Sequence, residues 1–238
     1  MYARVTTVDG NASAIDRGIA FVTDTVQPLV ESLPGSLGLN MLTARDLGRV
    51  AVVTAWETAE ARAASDRELS PIRDEAGRIL SGEARTSELE FVIASRTHAQ
   101  QVGYWARTTR FTGPRDRIDD AIAEFVEEVL PDIRGIDGFC SAVLLVNRDV
   151  GTAIAATTWD DRHALAASRP KVAGYREATA KRSHATVDEI VESQLVIAGL
   201  HDALWHPIPR QADRVIELRR SSRSSRPAAR GRSPRGSR

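Results

Sequence analysis

Cysteine is nearly absent: Cys140 stands alone among 238 residues. One thiol excludes an intrachain disulfide and suits a reducing compartment. The five histidines, His98, His163, His184, His201 and His206, are scattered without metal-ligand spacing, so no metal site is expected. Aromatic residues make up only 5% of the chain. No apolar run approaches the roughly 20 residues that a spanning helix needs, and no N-terminal run resembles a signal peptide. The expectation is therefore a cytoplasmic protein without a membrane partner. G-x-G-x-x-G, G-x-x-x-x-G-K-[ST] and G-x-S-x-G are all missing. Their absence argues against short-motif nucleotide binding and serine hydrolysis, and no cofactor is expected.

Net charge is zero, but unevenly so. Residues 219–238 carry eight arginines and no acid, which leaves 24 basic against 32 acidic residues in the remainder. An acidic body argues against nucleic acid as a partner of the folded part. The Arg/Ser/Pro/Gly tail over 219–238 is expected to be disordered, and residues 200–218 read as a C-terminal extension.

What the chain does have is a repeat. Shifted by 103 positions it matches itself: Ala3-Arg4 on Ala106-Arg107, Arg45-Asp46 and Gly48 on Arg148-Asp149 and Gly151, Thr54 and Trp56 on Thr157 and Trp159, Ala64-Ser65 on Ala167-Ser168. Two similar halves of this size predict two units, 1–97 and 104–199.

Each half reads the same way. Tyr2–Val8 and Trp105–Phe111 are strands. Ile15, Ile19, Val22, Val26 and Val30 fall on one helical face, as do Ile118, Ile122, Phe125, Val129 and Ile133. Ser13 and Asp116 are the expected N-caps, and Pro28 and Pro131 should loosen the last turn. Paired strands follow at 37–43 with 50–56 and at 139–146 with 152–159. A second helical stretch comes next, with breaks expected at Pro71 and Pro170, and then a last strand. This is an α+β chain of two tandem ferredoxin-like β-α-β-β-α-β units. Leu37, Leu39 and Met41 are read on one strand face with Leu42 on the other. Strands apolar on both faces predict two sheets that cover each other, with helices outside: an intrachain pseudo-dimeric α+β barrel.

Arg4 and Arg107 fall on the central first strand, where a bare guanidinium is costly to bury. The sequence offers two readings. One is a structural ion pair with Glu57 or Asp160; the other is a cation beside Trp56 or Trp159 that grips an anionic or phenolic ligand. The tryptophans are packing anchors or a ligand wall. His163, one turn after Trp159, is a candidate base, and Tyr175 a candidate substrate contact. Cys140 reads as a small core residue.

The segments Val52-Val53-Thr54-Ala55-Trp56-Glu57-Thr58 and Ala156-Thr157-Thr158-Trp159-Asp160-Asp161 resemble the antibiotic biosynthesis monooxygenase domain of the dimeric α+β barrel superfamily, over residues 1–97 and 104–199. The resemblance implies a ligand cavity between each sheet and its helices. It includes cofactor-independent oxygenases of polycyclic phenols and haem-degrading enzymes. Many relatives carry histidine nine or ten residues after the Trp; here Ser65 and Ser168, then Asp66 and Arg169, stand there. The haem-degrading branch has an asparagine on strand one, where this chain has Ala3 and Ala106, which disfavours haem degradation.

Three functions follow as expectations. One is a cofactor-independent monooxygenase acting on an aromatic or polyketide-like small molecule, with His163, Arg107 and Arg4 as catalytic and Trp56, Trp159 and Tyr175 as substrate-binding residues. The second is a non-catalytic barrel that binds a small molecule. The third is an adaptor tethered through its tail. A second copy of the chain stays open as a partner.

Overall fold

The computed structural model describes residues 1–205. The Arg-rich tail and most of the expected extension lie outside the described residues. Eight strands run in order: β1 (Tyr2–Asp9), β2 (Ser36–Ala44), β3 (Arg49–Trp56), β4 (Ala84–Arg96), β5 (Trp105–Thr112), β6 (Phe139–Asn147), β7 (Thr152–Trp159) and β8 (Thr186–Ala198). The first four form a sheet in the order β4-β1-β3-β2, and the last four repeat it as β8-β5-β7-β6. Both halves are thus ferredoxin-like. The sheets also join edge to edge: β2 pairs β8 and β4 pairs β6, all antiparallel, which closes one barrel. Closure leaves no strand edge to template aggregation.

Side chains alternate between two compartments. Ala3, Val5, Leu89, Leu145 and Ile154 fill the barrel interior. Val8, Leu39, Met41, Val50 and Trp56 face outward against helices of the first half. Leu37 departs from the expected face. It packs inward with Ala55 and Ala94, because β2 shifts register between Ser36 and Leu39. Gly38 sits in that bulge at φ +81°, and a Cβ there would come 2.0 Å from the Gly199 carbonyl oxygen. Gly38→Ala should therefore cost about 2 kcal/mol or more, read as a lower urea midpoint at an unchanged slope.

The helices also repeat. The first half has α1 (Ile15–Phe21), α2 (Gln27–Ser32), α3 (Ala59–Ala64) and α4 (Asp66–Leu80); the second has α5 (Ile118–Glu124), α6 (Leu130–Arg134), α7 (Arg162–Ala167) and α8 (Arg169–Ser183). A π-turn joins α1 to α2 over Val22–Val26 and α5 to α6 over Phe125–Val129. Each stands just before Pro28 or Pro131, whose ring and missing N–H cannot continue a regular ladder. Ser13 and Asp116 are not caps. Asn11 accepts from the Ser13 N–H at 2.9 Å, and Pro114 occupies the other start without a side-chain bond. The second helices do break, but at Ser65 and Ser168; Pro71 lies inside α4, and Pro170 sits in the first turn of α8.

Candidate functional site

Both strand-one arginines are buried and point toward the helices. Arg4 donates to Glu88 at 2.9 Å and to Ser65 Oγ at 3.2 Å, and lies 3.4 Å from Asp66. Arg107 donates through Nε to Glu192 at 3.0 Å, and through its terminal nitrogens to Glu192 and the Leu165 carbonyl at 2.8 Å and to Ser168 Oγ at 2.9 Å. The expected partners, Glu57 and Asp160, are therefore corrected to Glu88 and Glu192. The reason is register: Arg4 sits opposite Glu88 across β1–β4, and Arg107 opposite Glu192 across β5–β8. The serines nine residues after each Trp close the same networks.

Trp56 and Trp159 are fully buried and stack on neither arginine. Each indole N–H donates at 3.1 Å to the threonine two residues back, Thr54 or Thr157. Trp159 also meets Phe139 edge-to-face at 5.6 Å between centroids. Their geometry is that of packing anchors. His163 is exposed on α7 and lies apart from the cavity described next. It has no reach into the site as a base.

A largely apolar cavity of about 110 Å³ lies between the second sheet and its helices. Ala153, Ala155 and Leu144 form its floor, and Phe125 and Val172 cover it. Arg107, Tyr175 and Arg176 bring polar atoms to it. In the first half the matching space is solid core: Val50, Val52, Leu69 and Leu80 stand where the second half has Ala153, Ala155, Val172 and Ser183. The replacements remove volume from wall and floor alike. Phe111 and Phe125, in place of Val8 and Val22, add ring surface around the opened space. The sequence signal was the small strand β7; the helix wall, Arg176 included, emerges only when the halves are compared position by position.

Tyr175 sits at this wall with its hydroxyl donating to Asp132. That carboxylate, with burial and charge adding, raises the phenol above its ordinary pKa. Desolvation lowers the Arg107 pKa, opposed by the bonds to Glu192. Glu192 is held below the usual carboxylate range, first by its bond to Arg169 and also by Arg107. A depressed carboxylate contributes stability above its unfolded pKa and loses it as pH falls through the folded value. Stability should thus decline below about pH 4.3, the ordinary glutamate value. Glu192→Gln should flatten that decline in urea titrations run across pH 3–6.

Away from the cavity, His98 Nε2 lies 2.7 Å from Asp160 Oδ1, and the Cys140 thiol completes a cluster whose ligand atoms fall within 4.8 Å of one another. These are the residues that could hold a cation. Burial pushes the thiol up to about 11, so it stays protonated at neutral pH. Cys140 itself is buried, in keeping with a core role. Among the described residues, no helix is long and apolar enough to cross a membrane.

Haem does not fit the cavity. Among the described residues, those lining it include no histidine, cysteine or methionine to serve as an axial ligand, and the Tyr175 hydroxyl is committed to Asp132.

A closed eight-stranded barrel of two ferredoxin-like units, with helices covering a cavity on its outer face, defines the α+β barrel class of fold. Solved structures of the same fold include an anthrone oxidase-like protein (TM-score 0.61, 15% identity, covering 82% of this chain and 92% of that one). A candidate monooxygenase of Fusobacterium nucleatum is similar at a TM-score of 0.60 and 14% identity, covering 83% and 92%. At these identities the likeness shows the fold. No protein-family model matches the chain. Two Mycobacterium tuberculosis proteins, the uncharacterized proteins Rv2557 and Rv2558, are 37% and 33% identical to it over 201 residues, 84% of this chain and 89% and 85% of theirs. The chain belongs to one family with them.

Proposed function

We propose that the second half binds an apolar aromatic molecule of the polycyclic phenol type and oxygenates it without a cofactor. The observation that carries this reading is the cavity, opened by small residues in one half only and bordered by arginines. An apolar pocket with a few polar groups is the ordinary form of a small-molecule site. Positive charge at its wall favours the phenolate over the phenol, and the phenolate is the electron-rich form that reacts with oxygen. One ring methylene and one O2 give one carbonyl and one water. Arg107 acts through its field, since Glu192, Ser168 and Leu165 take most of its donors. Oxygen uptake with an anthrone-type phenol tests the reading; no uptake, with or without added flavin or haem, would remove it.

A second reading has one specific observation behind it. Among the described residues, no histidine, aspartate or glutamate lines the cavity, so none of them stands there as a general base. A binding barrel without chemistry would show ligand-dependent stabilisation and no product. The related anthrone oxidase-like structure gives the oxygenase reading its substrate class, as an analogy of fold.

A further inference from the structure

The two halves serve as internal controls for each other, and they differ in charge as well as volume. In the first half Asp66 lies against Arg4 and pairs with Arg73, while Glu88 takes Arg4 and Arg62. Every guanidinium of that cluster has an acid beside it. In the second half the Asp66 position is Arg169, and the Arg73 position is Arg176. Arg169 bonds to Glu192 together with Arg107, so one carboxylate serves both. Arg176 is left without a hydrogen-bond or ion-pair partner among the described residues. It borders both the apolar cavity and an adjoining recess formed with Arg107, Arg169, Ala173, Ile190 and Glu192. Three guanidiniums thus face one carboxylate at the mouth of the cavity. Like charges held this close repel one another, and Arg169 and Arg176 both disfavour the charge on Arg107. An anion there would relieve that repulsion and take the free donors of Arg176 in a forked, charge-assisted pair.

We propose that the ligand of this cavity is an aromatic carboxylate, its ring body in the apolar space and its carboxylate on Arg176, with Arg169 and Arg107 behind it. The inference rests on the reading of the cavity as a ligand site, and it deepens that reading by assigning the ligand a fixed negative charge. The replacement of an acid by Arg169 is the element that creates the site, because it removes the internal counter-ion that the first half retains.

The test uses the full chain and two fluorescent probes of one shape, anthracene-9-carboxylate and its neutral analogue anthracene-9-methanol. The carboxylate should bind at least about ten-fold more tightly at low salt, as one charge-assisted pair is expected to give. Arg176→Gln should bring the carboxylate to within about two-fold of the alcohol without changing the alcohol's affinity. Arg169→Asp restores the first-half arrangement, supplies Arg176 with an internal partner, and should abolish the preference in the same way. Arg73→Gln, at the equivalent position of the first half, should leave both affinities as they are. Equal binding of the two probes, or a preference that survives both Arg176→Gln and Arg169→Asp, overturns the proposed charge while leaving the cavity as a ligand site. Binding of neither probe overturns both.

Discussion

Ala153→Val with Ala155→Val should abolish binding of small aromatic molecules while leaving the barrel as stable as before, or more so. These changes give the second half the residues that the first half carries as Val50 and Val52. Both alanines lie on the cavity floor, and the first-half valines occupy the equivalent layer without strain. Added methyl groups would meet Leu144, Phe125 and Val172 rather than ligand. Filling an apolar void commonly adds about 0.5–2 kcal/mol, so the loss of binding should come with a raised urea midpoint. Titration of the same protein by ligand fluorescence and by urea reads both effects. The reverse change, Val50→Ala in the first half, should cost about 2 kcal/mol, since it removes packed methyl groups from solid core. If the double variant binds as well as the parent, the cavity is not the ligand site.

Trp159→Ala should be one of the two most damaging single changes to the fold, with a loss of about 3–5 kcal/mol. The indole has no exposed surface, its N–H bonds to Thr157, and it packs nearly perpendicular to the Phe139 ring. Its removal opens a void and orphans packing at the junction of β7, β6 and α7. Trp159→Phe should cost much less, because it keeps most of the ring volume. Trp56→Ala should match it in the first half, where the indole N–H bonds to Thr54. The two losses together approach the whole stability of a typical domain, about 5–15 kcal/mol, so the double variant should not fold. Retention of fluorescence-monitored cooperativity in that double variant would show that neither indole anchors its half. Because Trp56 and Trp159 do not border the cavity, their effect on ligand affinity should follow stability and not exceed it.

How far the sequence could be read differs from residue to residue. The repeat places six strands to within a residue or so of their ends, because period-two and period-3.6 patterns recur in both halves; the last strand of each half reads short, since the pattern begins at Glu88 and Glu192 whereas β4 begins at Ala84 and β8 at Thr186. Arg4 and Arg107 could be picked out as buried charges from their place on a central strand. Their partners could not: Glu88 and Glu192 lie more than eighty residues away, and only the β1–β4 and β5–β8 registers bring them opposite. Spacing puts His163 one helical turn from Trp159, which suggests a place near the site. The helix turns that side chain to solvent instead, as local spacing says nothing about which face meets the sheet. Alternation assigns Leu37 to the face of Leu39, and the bulge at Gly38 turns it inward without any visible break in the pattern.

The sequence by itself determined the duplicated β-α-β-β-α-β order, the two compartments of apolar residues and the burial of two arginines. These follow from periodicity and from the cost of exposing apolar surface or burying a charge, which act locally along the chain. Tertiary structure alone decided that the sheets join edge to edge, that a cavity opens in the second half, and that Arg176 is left without an acid among the described residues. Those depend on which distant side chains share a volume, and small differences summed over several walls open or close it.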